Sequence, residues 1–251
     1  MSADHRVEAL VAHLAPLDSA LVAYSGGADS ALVAWASQAA LGERALAVTA
    51  RSESLGPDEA DAARALAARI GIGHLEIDYS ELAIPGYADN PPDRCYLCKG
   101  ELFRRLAALA AERGLAVVLD GSNADDLGDW RPGRRAAGEL GVRSPLVELG
   151  WDKAAVRAAL RELDLPVWDK PSSPCLSSRV PYGEPITREK LEAVGRAEAA
   201  LRALGFRESD GLADEIVARV RAAGFAFVAL DLEGLRSGSL NRLLPTRDAD
   251  G

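Results

Sequence analysis

Residues 20–30 constrain the fold of this chain more than any other stretch. An apolar run typical of a buried strand, residues 20–24, is followed by Ser-Gly-Gly-Ala-Asp-Ser at 25–30 and then by an alanine-rich helical pattern. Two adjacent glycines allow a positive φ and a close approach between backbone and ligand. The start of the next helix presents N–H groups and partial positive charge, which favours phosphate. The stretch therefore predicts a phosphate-binding strand–loop–helix unit, with Asp29 acting through a cation; an ordinary glycine-rich turn is the alternative.

Strand and helix patterns alternate along the first two thirds of the chain. Further strands are predicted at 45–49, 74–78 and 115–120, and helices near 5–15, after 30, after 57, near 99–113 and at 152–163. This alternation is typical of a doubly wound, parallel α/β sheet. The periodicity breaks at residues 165–171, which predicts a domain of residues 1–165 and a smaller C-terminal α+β domain of residues 166–251. In that second domain we expect helices at 187–204 and 213–223 and a closing strand at 226–231.

In such a sheet, ligands bind beyond the carboxyl ends of the strands. Three loops are expected there, at residues 25–30, 50–56 and 120–126. The third loop carries Asp125 and Asp126, and Mg²⁺ prefers carboxylates combined with substrate phosphates. Asp126 or Asp125 is therefore predicted to share an ion with Asp29; the alternative is an Asx-rich turn that caps the next helix.

Bulk composition excludes some classes of partner. The 251-residue chain has a formal net charge of −9, which disfavours general binding to nucleic acid or to an anionic membrane. No secretory signal and no apolar run of membrane-spanning length are recognised. Three cysteines without a signal predict a reducing, cytoplasmic setting and metal or thiol chemistry.

The three cysteines fall into two segments. Two form Cys95-x-x-Cys98, and Cys175 lies in a proline- and serine-rich segment close to Arg179. A neighbouring cation favours the thiolate form, although a small buried cysteine without chemistry is the alternative. The arginine-rich residues 129–143 are predicted to form a loop that either binds anions or is a solvated turn.

Six motifs, in order between about Leu21 and Leu243, are similar to those of one family. Besides residues 25–30, they are Cys-Tyr-x-Cys-Lys at 95–99, Gly-Ser-Asn-x-Asp-Asp at 121–126, Arg-Pro-Gly-Arg-Arg at 131–135, Ser-Pro-Cys-Leu-Ser-Ser-Arg-x-Pro-Tyr-Gly-Glu at 173–184 and Leu-Asp-Leu-Glu-Gly-x-Arg-x-Gly-Ser-Leu-Asn at 230–241. Together they resemble the LarE family of the PP-loop ATP pyrophosphatases. Members of that family are ATP-dependent pyridinium-3,5-biscarboxylic acid mononucleotide sulfurtransferases, which make the nickel-pincer nucleotide cofactor of lactate racemase.

The resemblance implies a PP-loop fold and a nucleotide site. The loop at 25–30 is then expected to cradle the β,γ-pyrophosphate of ATP, and Asp29 and Asp126 are expected to hold Mg²⁺. The residues implied in binding ATP or substrate are Ser25, Gly26, Gly27, Asp29, Ser30, Thr49, Ser52, Gly121, Asp126, Arg179 and Arg236.

The resemblance also implies the chemistry. ATP adenylates a pyridinium carboxylate, and a sulfur nucleophile at Cys175 displaces AMP, with Asp29 and Glu198 among the catalytic residues. The sulfur is either that of Cys175 itself, which leaves dehydroalanine, or a sulfide of a [4Fe–4S] cluster held by Cys95, Cys98 and Cys175; the cluster is the favoured interpretation. A Cys95–Cys98 disulfide is the remaining alternative, weakened because such motifs normally open a helix.

One segment departs from the family pattern. The family follows Gly-Phe-Arg with a basic strand whose two arginines hold a phosphate, whereas here Arg207 runs into Glu208-Ser209-Asp210. Arg236 and residues 131–135 are candidate substitutes. The expected partners are a small pyridinium mononucleotide, proteins of the same cofactor pathway and further copies of the chain in a homo-oligomer, with no nucleic acid and no membrane.

Two other functions stay open. One is another PP-loop adenylating enzyme, either a tRNA thiolase or an ammonia-dependent ligase. The net charge of −9 disfavours the first, because a tRNA enzyme needs an extended basic surface, and a ligase has no need of paired cysteines. The other is a non-catalytic ATP-binding module, which the missing basic strand keeps open.

Overall fold

The computed structural model describes residues 3–56, 58–128, 132–170, 174–203 and 213–224. The chain divides into two compact units. The first unit comprises Met1–Ser52, Asp58–Tyr79 and Asp93–Ser173, and the second comprises Glu53–Pro57, Ser80–Pro92 and Pro174–Gly251. The second unit thus takes in two short segments from the first 92 residues, so it is not contiguous in sequence. The predicted division after residue 165 stays a prediction.

The first unit is built on a parallel sheet. Its strands are β1 (Ala20–Ala23), β2 (Ala45–Arg51), β3 (Gly73–Asp78) and β4 (Val117–Leu119), in the spatial order β3-β2-β1-β4. Leu21 of β1 pairs with Leu46 of β2 on one side and with Val118 of β4 on the other. The predicted parallel α/β fold is confirmed, because each strand is followed by a helix before the next parallel strand.

Helices cover both faces of this sheet. They are α1 (Ala3–Leu14), α2 (Ala28–Leu41), α3 (Glu59–Ile70), α4 (Arg94–Glu112), α5 (Pro132–Glu139), α6 (Pro145–Glu148) and α7 (Lys153–Glu162). Ala20 and Val22 belong to one hydrophobic cluster with α1, α2 and α7, whereas Leu21 belongs to a second cluster with α4. Successive strand residues point to opposite faces, so β1 is buried on both sides and reads as an unbroken apolar run.

Two predictions for this unit are wrong. Helix α4 begins at Arg94 rather than near residue 99, so Cys95 and Cys98 lie in its first turns. Residues 132–139 form helix α5 instead of continuing a loop. Pro132 occupies the first helical position, where its fixed φ and missing N–H are tolerated, and the buried Ala136 and Ala137 give this helix an apolar face.

The second unit contains two further helices, α8 (Arg188–Ala203) and α9 (Ala213–Ala222). They confirm the helices expected on either side of residue 205, and a 3₁₀ turn, Leu176–Arg179, precedes them. The predicted closing strand at 226–231 and the segment around Arg207 lie outside the described residues. No helix in the described part of either unit is long and apolar enough to cross a membrane.

Candidate nucleotide site and cysteine loop

The glycine loop between β1 and α2 leaves the start of α2 open. Gly27 is the N-cap of α2 and, having no side chain, makes no capping hydrogen bond to the first turn. Gly26 has a φ of +70°, and a Cβ on it would lie 2.8 Å from the Cβ of Ala63. Only glycine fits both the left-handed backbone and the contact with α3. The loop therefore presents N–H groups at a helix start, which is a favourable place for an anion.

The two serines of the loop use their hydroxyl groups on the loop itself. Ser30 Oγ donates to the Gly27 carbonyl at 3.1 Å and accepts from the Ser25 N–H at 3.2 Å. Because its proton is already used, Ser30 accepts again from Ser25 Oγ at 3.0 Å. Ser25 Oγ in turn accepts from the Gly27 N–H at 3.3 Å. These hydrogen bonds within the loop stabilise its conformation, and this is the role that the structure shows for the two serines.

The loop after β4 packs against the first turn of α2. A Cβ on Gly121 would lie 2.7 Å from Ser30 N and 2.9 Å from Ser30 Cα. Asn123 begins a 3₁₀ turn (Ala124–Leu127) with a capping box: its Oδ1 accepts from the Asp125 N–H, and Asp126 Oδ2 accepts from the Asn123 N–H. The capping turn weighed as an alternative is therefore present, and the same turn places the buried Asp126 carboxylate near Asp29.

Asp29 lies in an environment that disfavours its charge. Burial raises the pKa of Asp29, and the neighbouring Asp126 carboxylate raises it further. The Asn123 side-chain amide and the cations Lys153 and Arg157 act in the opposite direction. Asp29 is half-buried and Asp126 is buried, and two neighbouring carboxylates in such surroundings favour a cation beside them.

Three cations beside the glycine loop were missed by the sequence analysis: Lys153, Arg157 and Lys170. Arg157 donates to the carbonyls of Trp168 and Lys170 at 2.9 and 2.8 Å. Lys170 Nζ forms an ion pair with Glu59 at 2.7 Å and lies 3.5 Å from the Gly26 carbonyl oxygen. The four-residue spacing of Lys153 and Arg157 on α7 was a usable signal, since it places both on one helix face.

Thr49 of β2 is hydrogen-bonded through its hydroxyl to the residue that follows β1 and to a residue of β3. Its hydroxyl is buried and donates to the Tyr24 carbonyl at 2.9 Å, so it accepts from His74 Nε2 at 2.8 Å. This pattern requires the His74 proton on Nε2, and burial lowers the pKa of that imidazole. Ser52 follows β2 and is half-buried. Whether either residue contacts a nucleotide stays a prediction.

All three cysteines are free thiols. Cys95 and Cys98 are half-buried in the first turns of α4, and Cys98 Sγ lies 3.8 Å from the Tyr79 hydroxyl. A Cys-x-x-Cys pair that opens a helix removes the argument used against a disulfide. Throughout the described ranges, no group of three or more His, Cys, Asp or Glu side chains is arranged to hold a metal ion.

In the second unit, hydrogen bonds hold the backbone around the exposed Cys175. Arg179 donates to Glu198 Oε1 at 2.6 Å, to the Pro174 carbonyl at 3.0 Å and to Ser178 Oγ at 2.7 Å. Ser178 Oγ donates onward to the Cys175 carbonyl at 2.7 Å. Three residues predicted from the sequence, Cys175, Arg179 and Glu198, are thus brought together. The hydrogen bonds of Arg179 and Ser178 form a frame that holds the backbone on either side of Cys175.

The segment 80–92 completes this frame with residues that the sequence analysis missed. Asn90 is fully buried with a φ of 55°, and its Nδ2 donates to the carbonyls of Val180, Pro181 and Glu184. The Tyr87 hydroxyl donates to Glu81 at 2.9 Å and therefore accepts from Ser177 Oγ at 2.7 Å. Asn followed by two prolines, with tolerance of the left-handed region, was the available signal. Arg236 lies outside the described residues.

The fold and this glycine loop define an α/β enzyme of the PP-loop class. The family model for asparagine synthase matches residues 8–137. A pyridinium-3,5-bisthiocarboxylic acid mononucleotide synthase of Lactiplantibacillus plantarum is 37% identical over 79% of this chain and 79% of its own length. The chain belongs to the LarE family and is a homologue of its sulfurtransferases.

Two further relatives have no assigned activity. An uncharacterised protein of Synechocystis sp. is 47% identical over 81% of this chain and 85% of the relative. An uncharacterised protein of Methanocaldococcus jannaschii is 31% identical over 59% of this chain and 66% of the relative.

Proposed function

We propose that this protein uses ATP to adenylate the carboxylate of a pyridinium mononucleotide and converts it to a thiocarboxylate, in biosynthesis of the nickel-pincer nucleotide cofactor of lactate racemase. The observation that carries the proposal is the open start of α2 behind Gly26 and Gly27, with Asp29 held beside it. The L. plantarum relative, a pyridinium-3,5-bisthiocarboxylic acid mononucleotide synthase, supports the choice of substrate.

Adenylation solves a chemical problem. A carboxylate is a poor acyl donor because oxide is a poor leaving group, whereas AMP leaves readily. A carboxylate oxygen attacks the α-phosphorus of ATP, the bond to the bridging oxygen breaks, and pyrophosphate departs. The open N–H groups of α2 stabilise the negative charge on the departing pyrophosphate.

Asp29 and Asp126 are the residues that would hold Mg²⁺. Their fit rests on charge: burial and mutual repulsion raise the pKa of Asp29, and a divalent cation relieves both penalties. When bound, Mg²⁺ neutralises phosphate charge and orients the nucleotide. Asn123 keeps Asp126 in place through the capping box, so it serves as a support for the carboxylate pair.

Cys175 provides the sulfur nucleophile. Its thiolate attacks the carbonyl carbon of the adenylate, AMP leaves, and a thioester joins substrate to protein. Removal of the Cys175 α-proton and breakage of its Cβ–S bond then release the thiocarboxylate and leave dehydroalanine. Arg179 and Glu198 hold the backbone that carries this thiol, and Arg236 is proposed to bind the substrate phosphate.

A pyrophosphate-exchange assay tests the proposal. The protein, ATP, Mg²⁺ and the pyridinium dicarboxylate mononucleotide are combined under anaerobic, reducing conditions, and labelled pyrophosphate is followed into ATP. Exchange that depends on the pyridinium substrate supports the adenylating step. ATP binding without exchange would instead identify a non-catalytic module, and exchange dependent on tRNA or on ammonia would identify another PP-loop enzyme.

The source of sulfur needs a separate measurement. The alternative to Cys175's own sulfur is sulfide from an iron–sulfur cluster, for which Cys95, Cys98 and Cys175 would be the ligands and which would supply the sulfur in place of the Cys175 side chain. Anaerobically purified protein that is brown, and colourless after Cys95→Ala, supports the cluster. Colourless protein whose mass falls by that of hydrogen sulfide after one turnover supports sacrifice of Cys175.

A further inference from the structure

A lysine–glutamate pair lies at the glycine loop without a role in the chemistry above. Lys170 Nζ is 2.7 Å from Glu59 Oε2 and 3.5 Å from the Gly26 carbonyl oxygen. The side chains of Lys170 and Glu59 are 27% and 20% exposed. The pair is therefore sheltered, yet it remains within reach of a solute that enters the loop.

Both partners are held in place by neighbouring structure. Glu59 lies in the first turn of α3, and Ala63 of the same helix packs against Gly26. On the other side, Arg157 clamps the chain that leads to Lys170 through the carbonyls of Trp168 and Lys170. The Lys170 ammonium faces the loop, since its Nζ lies 3.5 Å from the Gly26 carbonyl oxygen, whereas the Arg157 guanidinium is engaged with the two carbonyls.

We propose that Lys170 binds the phosphates of the nucleotide, and that Glu59 occupies the position of that anion until ATP arrives. A carboxylate and a phosphate present the same kind of charged oxygen acceptor to an ammonium group. On binding, the Lys170 ammonium exchanges a Glu59 oxygen for a phosphate oxygen and keeps its charge paired. The inference rests on the proposed function, since it concerns the same nucleotide site.

This exchange predicts opposite effects from the two halves of one ion pair. Lys170→Met removes a charged hydrogen-bond donor to phosphate, so the affinity for pyrophosphate should fall roughly 10- to 100-fold. Glu59→Gln removes a competitor for the same lysine, so affinity should rise about two- to fivefold. A purely structural ion pair predicts the same direction for both variants, because each change breaks the same bond.

Calorimetric titration of the full chain with inorganic pyrophosphate and with ATP, each with Mg²⁺, measures these affinities. Lys190→Met is the matched control: Lys190 pairs with Glu184 in the second unit and is 42% exposed, so its loss should leave both affinities unchanged. Circular dichroism checks that each variant is folded, and Lys170→Gln replaces Lys170→Met if the latter does not fold.

The outcomes separate this inference from the function it rests on. Wild-type protein that binds neither ATP nor pyrophosphate overturns the proposed function. Wild-type protein that binds both, with affinity unchanged in Lys170→Met or lowered alike in Lys170→Met and Glu59→Gln, overturns the role of Lys170 alone. Weaker binding in the first variant and tighter binding in the second supports it.

Discussion

Adding one methyl group at Gly121 tests whether the second loop really packs on the first turn of α2. A Cβ there would lie 2.7 Å from Ser30 N, 2.9 Å from Ser30 Cα and 3.0 Å from the Asp29 carbonyl carbon. All three are backbone atoms, which cannot rotate away as the end of a side chain can. The hydrogen bonds of Ser30 to Ser25 and Gly27 also resist a shift of the turn.

The expected cost of Gly121→Ala follows from this crowding. Overpacking a well-packed site typically costs about 1–3 kcal/mol, and backbone contacts below 3.0 Å at a braced turn place this variant at the upper end. For a chain of this size, about 3 kcal/mol corresponds to a fall of about 6–12 °C in melting temperature. ATP affinity should fall as well, because the α2 N–H groups are displaced together with Ser30.

Thermal unfolding followed by tryptophan fluorescence measures the change, since Trp151 is almost fully buried in the first unit. Gly138→Ala is the control: Gly138 is exposed in α5 and its added Cβ meets nothing within 4 Å. Because alanine is a better helix former than glycine, Gly138→Ala should be about 0.5–1 kcal/mol more stable than the wild type. A Gly121→Ala protein that melts and binds ATP like the wild type would refute the close approach.

Three further variants address the chemistry and the frame of the cysteine. Asp29→Asn should abolish pyrophosphate exchange, and the ligand-free variant should be more stable than the wild type at neutral pH. The pKa of Asp29 is raised in the folded protein, so folding favours its protonated form and wild-type stability is lost as the pH rises through the folded-state pKa. Urea midpoints of the two proteins at acidic and at neutral pH measure this difference. Cys175→Ser should retain substrate-dependent exchange yet form no thiocarboxylate, which mass spectrometry of the product detects; thiocarboxylate from this variant would disprove the nucleophile. Tyr87→Phe removes the hydroxyl between Glu81 and Ser177 and should destabilise the second unit by about 1–3 kcal/mol. Hydrogen exchange of the backbone amides at 174–187 should become faster while ATP affinity stays unchanged. Amide exchange equal to that of the wild type would contradict the role of Tyr87 in holding the cysteine loop.

The sheet was largely predictable because its inner strand β1 is buried on both faces. An apolar run such as β2 has few other places to lie in a chain of this composition, and the glycine loop marks where β1 ends. The start of α4 was not predictable in the same way. Arg94 is buried there, and polar residues around Cys95 conceal the helical period that Phe103 and Leu106 make plain further on.

The candidate site was predictable only where its residues are close in sequence. The loop at 25–30 and the turn at 121–126 each carry their candidate residues at consecutive positions. Lys170 and Asn90 do not, since their partners Glu59 and Val180 lie 111 and 90 positions away. Such contacts depend on how elements pack, which a local pattern does not contain.

The glycine loop at 25–30 and the loop around Cys175 differ in how their polar groups are hydrogen-bonded. In the glycine loop, the Ser25 and Ser30 hydroxyls are used on the loop itself. The N-cap of α2 is Gly27, which has no side chain, so the start of this helix has no side-chain cap. Around Cys175, side chains of Asn90 and Arg179 donate to backbone carbonyls, so an irregular segment is fixed while its thiol side stays exposed. Irregular backbone is stable only when its polar groups are paired. Arg179 pairs one carbonyl from within the loop, and Asn90 pairs three more from the segment 80–92. This explains why the short segment 80–92 belongs to the second unit, and why changes at Asn90 should act on the cysteine loop rather than on nucleotide binding.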